Sequence, residues 1–112
     1  MPTITDEYMQ QMLLATKAYC LCILRATPKR NEPGADQIVW EHGRRNFSLR
    51  AEGLLSIVCP ISDGGDVRGI SIFNASVDEV KKLMDEDPAV VAGVLTYELL
   101  ACRGFPGDRL PE

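Results

Sequence analysis

The sequence predicts an α+β fold with the element order β-α-β-β-α-β, preceded by one extra helix. Three observations predict it. Four short apolar stretches, 18–26, 54–60, 67–75 and 94–101, have the length and composition of strands. Two segments of helical period, 38–52 and 77–86, fall in the first and last gaps between them. The middle gap is a short Ser-Asp-Gly-Gly-Asp turn, which makes the second and third strands a hairpin.

Each element has its own justification. Thr5 can cap a helix over 5–15, with Asp6 and Glu7 where the helix dipole favours acids. AYCLCILRA, 18–26, is apolar on both faces, with Cys20, Cys22 and Leu24 on one and Tyr19, Leu21 and Ile23 on the other. TPKRNEPGAD, 27–36, carries two prolines and a glycine and reads as a loop. IVWEHGRRNFSLRAE, 38–52, is a helix stopped by Gly53. LLSIVCP, 54–60, and VRGISIFNA, 67–75, are strands joined through 62–66. Ser76 and Glu79 form a capping box for the next helix, whose apolar stripe is Val80, Leu83 and Met84 and which Pro88 ends. VLTYELLA, 94–101, is the last strand, and the tail, rich in proline and glycine, is irregular. The division is an N-terminal helical extension (1–16), one domain (17–103) and a tail (104–112). This order is the split βαβ arrangement of a ferredoxin-like fold. Two helices cover one face of a four-stranded sheet, yet the strands are apolar on both. A homodimer packed through the free sheet face is the expected cover, and the N-terminal helix or the tail of the same chain is the alternative.

Composition narrows the functions. The 112 residues suit one domain, with a net charge of −4. No basic block appears, which argues against nucleic acid as the main partner. No apolar run is long enough to span a bilayer, and no secretory signal is visible, so a cytoplasmic protein is expected. Cys20, Cys22, Cys59 and Cys102 include no C-x-x-C pair, and with one histidine no metal site is expected. They read as reduced, packed thiols, with Cys59 the first to test as a nucleophile.

His42 is the only histidine. On a helical wheel it falls in the apolar arc between Leu49 and Val39, with Asn46 one turn on and Gly43 on the same side. Arg44, Ser48, Glu41, Glu52 and Arg45 form the polar arc, so Arg45 is expected in solvent. A buried imidazole needs a partner for at least one nitrogen. Asp85, Glu86 and Asp87 place three acids at a helix C-terminus, where the dipole disfavours them. A frayed, solvated end accounts for Asp85 and Glu86. Asp87, held extended by Pro88, has a fixed exit direction and can meet a residue of the other helix.

These features together resemble the YCII-related (YciI-like) domain family over residues 18–103. The resemblance rests on His42, GLLSIVCP (53–60), VRGISIF (67–73) and above all DEDPAVVAGV (85–94). It implies a ferredoxin-like chain in a dimeric α/β barrel, similar to muconolactone isomerases. It also implies a candidate active site in which the family's histidine and pre-proline aspartate map to His42 and Asp87. Cys59-Pro60 stands where many relatives have Gly-Pro. Most of the family has no assigned substrate, and dehydrochlorination of a chlorinated aromatic diol is assigned within it. No cofactor is implied. A carboxylate on one imidazole nitrogen makes the other a better base, able to take a proton from a hydroxyl or from carbon beside a carbonyl. Asn46, Cys59, Pro60 and Arg68 are the candidate substrate contacts. Arg45 and Tyr97 are further candidates to steady an anion, and Ser62 and Asp63 to border the pocket mouth. Two readings stand: a cofactor-free lyase or isomerase with a His42–Asp87 acid/base pair, or a non-catalytic dimeric small-molecule-binding or interaction module. A cavity reaching His42 separates them.

Overall fold

The computed structural model describes the whole chain, Met1 to Glu112. Helix α1 (Asp6–Leu14) leads into strand β1 (Lys17–Ala26), a 3-10 turn (Pro28–Asn31) and the long helix α2 (Ala35–Ala51). Strands β2 (Leu55–Pro60) and β3 (Val67–Phe73) follow, then helix α3 (Val77–Asp85), the one-turn helix α4 (Pro88–Val91) and strand β4 (Leu95–Gly104). The sheet is antiparallel in the order β2-β3-β1-β4, which is the ferredoxin-like arrangement the sequence predicts.

Strand pairing sorts the side chains into two faces. Cys20 pairs with Phe73, Cys22 with Ser71 and Leu24 with Gly69. These residues are buried beneath the helices with Leu55, and Ala35 and Leu49 of α2, Val80 and Met84 of α3 and Ala89 of α4 complete the core. The alternate positions, Tyr19, Leu21, Ile23, Ile57, Ile70, Ile72 and Leu100, lie on the opposite face, where Leu21 pairs with Ile72 and Leu100, Ile23 with Ile70 and Tyr19 with Cys102. That face stays half-buried to exposed. Helix α1 does not cover it: α1 buries none of its side chains, and Tyr8, Met9, Leu13 and Leu14 are exposed.

Local chemistry explains the boundaries. Thr5 and Ser76 cap α1 and α3 by accepting from the amides of Tyr8 and Glu79, as their positions predict. Helix α2 starts three residues earlier than its apolar pattern, behind Gly34 in the left-handed region (φ 88°), because Ala35 is drawn into the core. β4 runs three residues beyond the predicted strand, since Lys17 finds Gly104 as its partner at the end of a continuous ladder. One expectation is corrected at Pro88. The proline does not merely end a helix; it opens α4, because the Asp87 carboxylate accepts from the Ala89 amide (2.9 Å) and proline suits a first helical turn.

Phe73 is 1% exposed at the centre of the core. Phe73→Ala lowers unfolding free energy by about 3–5 kcal/mol, measured by urea denaturation at fixed protein concentration.

Candidate active site

The site begins with the two helices that supply its ionisable groups. His42 lies mid-way along α2 on the side that faces the sheet, and it is 7% exposed. Asp87 sits between α3 and α4, fully buried at 0%. The imidazole Nδ1 and the Asp87 Oδ2 are 2.7 Å apart. An ionised carboxylate only accepts, so Nδ1 carries the hydrogen and donates it. The second carboxylate oxygen accepts from the Ala89 amide, so both oxygens have a partner. Backbone and side-chain bonds thus fix the carboxylate in one orientation.

Burial by itself pushes the Asp87 carboxyl up. The hydrogen bond from His42, its charge, the Ala89 amide and the Arg45 guanidinium outweigh burial and hold the group below the usual carboxylate range. Arg45 is therefore not the solvated residue its place on the wheel suggests. It stands three residues after His42, on the adjoining row of α2, and its side chain is 22% exposed. Its Nη1 is 3.7 Å from Asp87 Oδ2 and its Nη2 4.0 Å from Glu86. Nη1 is buried with no hydrogen-bond partner, so its link to Asp87 is one of charge. Asp85 is also paired rather than free in solvent, with Lys81 at 2.7 Å and with the hydroxyl of Tyr97. This ties Tyr97 to α3 and leaves it outside the cavity, which corrects its candidacy as an anion donor.

A cavity of about 340 Å³ opens between α2 and the sheet. His42, Asn46, Cys59, Pro60 and Arg68 all border it, while Asp87 lies behind the imidazole. Nε2 is consequently the nitrogen on the cavity side, and the Asn46 Nδ2 stands 3.3 Å from it as a donor. Leu24, Val39, Phe47, Val58, Ile61 and Leu95 make the walls apolar. Cys59 borders the cavity from the edge strand, but its pairing with Ile70 and alternation turn its side chain to the other face, away from His42. Arg68 sits at the rim, where its Nε donates to the Gly65 carbonyl (2.9 Å). Ser62 and Asp63 are turn residues outside the lining; the Asp63 carboxylate accepts from the Gly65 amide.

Two polar side chains of the cavity were not singled out from the sequence. Ser71 is a buried hydroxyl on β3, detectable as the one polar side chain on that strand's core face. Arg30 comes from the 3-10 turn, where no local pattern marks it. Beneath the cavity floor burial pushes the Cys22 thiol up to about 12, so it stays protonated. All four cysteines are unpaired, and no three His, Cys, Asp or Glu side chains gather as a metal set. No helix is long and apolar enough to cross a membrane.

Fold and site define a class: a small ferredoxin-like α+β chain with a buried histidine–carboxylate pair whose free nitrogen faces an apolar cavity. Among solved structures the chain is similar to 5-chloro-2-hydroxyhydroquinone dehydrochlorinase (TftG) from Burkholderia phenoliruptrix AC1100, in its complex with 2,5-dihydroxybenzoquinone. The TM-score is 0.50 and the sequence identity 18%, covering 73% of this chain and 90% of that one. At that identity the likeness shows a common fold. No protein-family model matches the sequence, and no curated protein matches it.

Asp87→Asn keeps an oxygen for the Ala89 amide but removes the charge. Urea denaturation at pH 7 shows a loss of about 3 kcal/mol, the lower end for breaking a buried pair. Asp87 has a depressed folded pKa against about 3.9 unfolded. Its contribution is therefore complete above that unfolded value and disappears as pH falls through the folded one.

Proposed function

We propose that the chain is a YCII-like protein acting as a small cofactor-free lyase or isomerase. His42 is the acid/base, and Asp87 is its orienting partner. One observation carries the reading: a cavity large enough for a single-ring compound opens on His42, whose other nitrogen is held by a fully buried carboxylate. A purely structural pair needs no such opening. In this reading Nε2 takes the proton-accepting role, since Nδ1 is committed to Asp87. A substrate hydroxyl, or a C–H beside a carbonyl, placed against Nε2 takes over the position of the Asn46 amide. The proton passes to Nε2 and the electron pair flows into the substrate. It then either expels a leaving group, giving elimination, or is reprotonated by the same imidazolium at another carbon, giving isomerisation.

Asn46 and Ser71 are the donors placed to steady the anion formed in between. Pro60 and the aliphatic side chains exclude water, and Arg68 and Arg30 bring positive charge to the rim. The similar structure named above binds a hydroxylated quinone, which supports a small oxygenated ring as the substrate class. We also place the protein in the cytoplasm, in keeping with four unpaired thiols. We assign the apolar sheet face to a homodimer, because Leu21, Ile23, Ile57, Ile70 and Ile72 have no helix over them in one chain.

Incubated with 5-chloro-2-hydroxyhydroquinone and related hydroxylated rings, the protein releases halide or exchanges carbon-bound protons with deuterated solvent. His42→Gln slows this about 10²–10⁴-fold while the far-UV spectrum is kept. A protein that binds 2,5-dihydroxybenzoquinone yet does neither is a binding module and not an enzyme. Sedimentation of Ile72→Glu gives a lower mass than the wild type; an unchanged mass rejects the sheet-face pairing.

A further inference from the structure

Helix α1 and the outer side of α2 each leave apolar surface uncovered. On α2, Trp40 and Phe47 are 65% and 66% exposed. With Val39, Gly43, Arg44, Arg30 and Asp36 they frame a groove of about 540 Å³. It adjoins the His42 cavity and shares Arg30, Val39, Gly43 and Phe47 with it. Gly43 is an anomaly there. Glycine inside a helix weakens it, and nothing in the chain lies within 4 Å of where its Cβ would stand. The space is left open to something from outside this chain.

Helix α1 has the matching features. Tyr8, Met9, Met12 and Leu13 lie along one side of it, and none is buried. Nine residues make about 13 Å of helix, close to the reach from Trp40 to Phe47 along α2. A helix this short is marginal in water unless a surface holds it. It carries Asp6 and Glu7 and no basic residue, and the groove holds two arginines, Arg30 paired with Asp36 (2.7 Å) and Arg44 with Glu41 (3.0 Å). Its direction is set, because Arg103 donates to the Thr16 hydroxyl (2.8 Å) and carbonyl (2.9 Å) at the hinge. Its own groove is out of reach. The hinge is at the Lys17 end of β1, whereas Leu24 and Leu95, which line the adjoining cavity, are at the Ala26 end. Ten strand residues put these ends about 30 Å apart.

We propose that α1 of one copy lies in the Trp40–Gly43–Phe47 groove of a second copy and roofs that copy's His42 cavity. Each site is then completed by the other chain. This contact is separate from the sheet-face pairing and does not depend on the reaction assigned to His42. Trp40 is the only tryptophan, so its fluorescence reports the groove directly. In the full-length wild type its emission is blue-shifted from solvated indole, and acrylamide quenches it several-fold less than in Leu13→Asp or in Met9→Asp/Leu13→Asp. Neither variant disturbs the body, since α1 buries none of its side chains. The proposal is overturned if Trp40 is as quenchable in the wild type as in the double variant. It is equally overturned if shielding persists in the double variant, or if the shielded wild type sediments as a monomer.

Discussion

The structure depends on one buried carboxylate. Asp87 has no solvent exposure, and an ionised group taken out of water costs several kcal/mol unless its oxygens are satisfied. Here one oxygen accepts from His42 and the other from the Ala89 amide, with the Arg45 guanidinium close by. These partners come from α2 and α4, so the carboxylate joins the two helices that flank the site. It also explains the backbone. The chain leaves α3 at Asp85, turns extended at Asp87 and starts α4 at Pro88, because the same side chain that meets the histidine caps the next helix.

The hydrogen bond between Asp87 and His42 also decides which imidazole nitrogen is available. With Nδ1 held, Nε2 is directed to the cavity, and the surroundings follow from that. The walls are largely apolar, and the Asn46 amide and Ser71 hydroxyl supply polar contacts. Arg45 stands beside the carboxylate and does not border the cavity. Its charge favours ionised Asp87 without entering the cavity.

The sheet divides labour between its faces. Cysteines, leucine and phenylalanine on the inner face pack against three helices, and the cavity forms where Gly69 and Ser71 leave room. Isoleucines, leucines and a tyrosine on the outer face have no helix over them within the chain. Two uncovered surfaces, that face and the Trp40–Phe47 groove, lie on different sides of the molecule. A short chain that exposes both has enough apolar area to build itself into an assembly.

Much of this was written in local sequence. Strand alternation, the Ser76 and Thr5 caps and the Asp-Gly turn act over a few residues, so the element order and the ferredoxin-like fold could be read without coordinates. The wheel position of His42 and the pre-proline backbone of Asp87 are local too, and they were enough to suggest the pair. What local rules could not reach were choices made by neighbours distant in sequence. Arg45 lies in the polar arc of its own helix, yet the buried charge of Asp87, from another element, draws it in. Tyr97 is turned away from the cavity by Asp85, and Cys59 by its register with Ile70. Ser71 and Arg30 enter the site because strand pairing and a 3-10 turn carry them there. Sequence period sets which side of its own element a residue occupies; only packing between elements decides what stands opposite it.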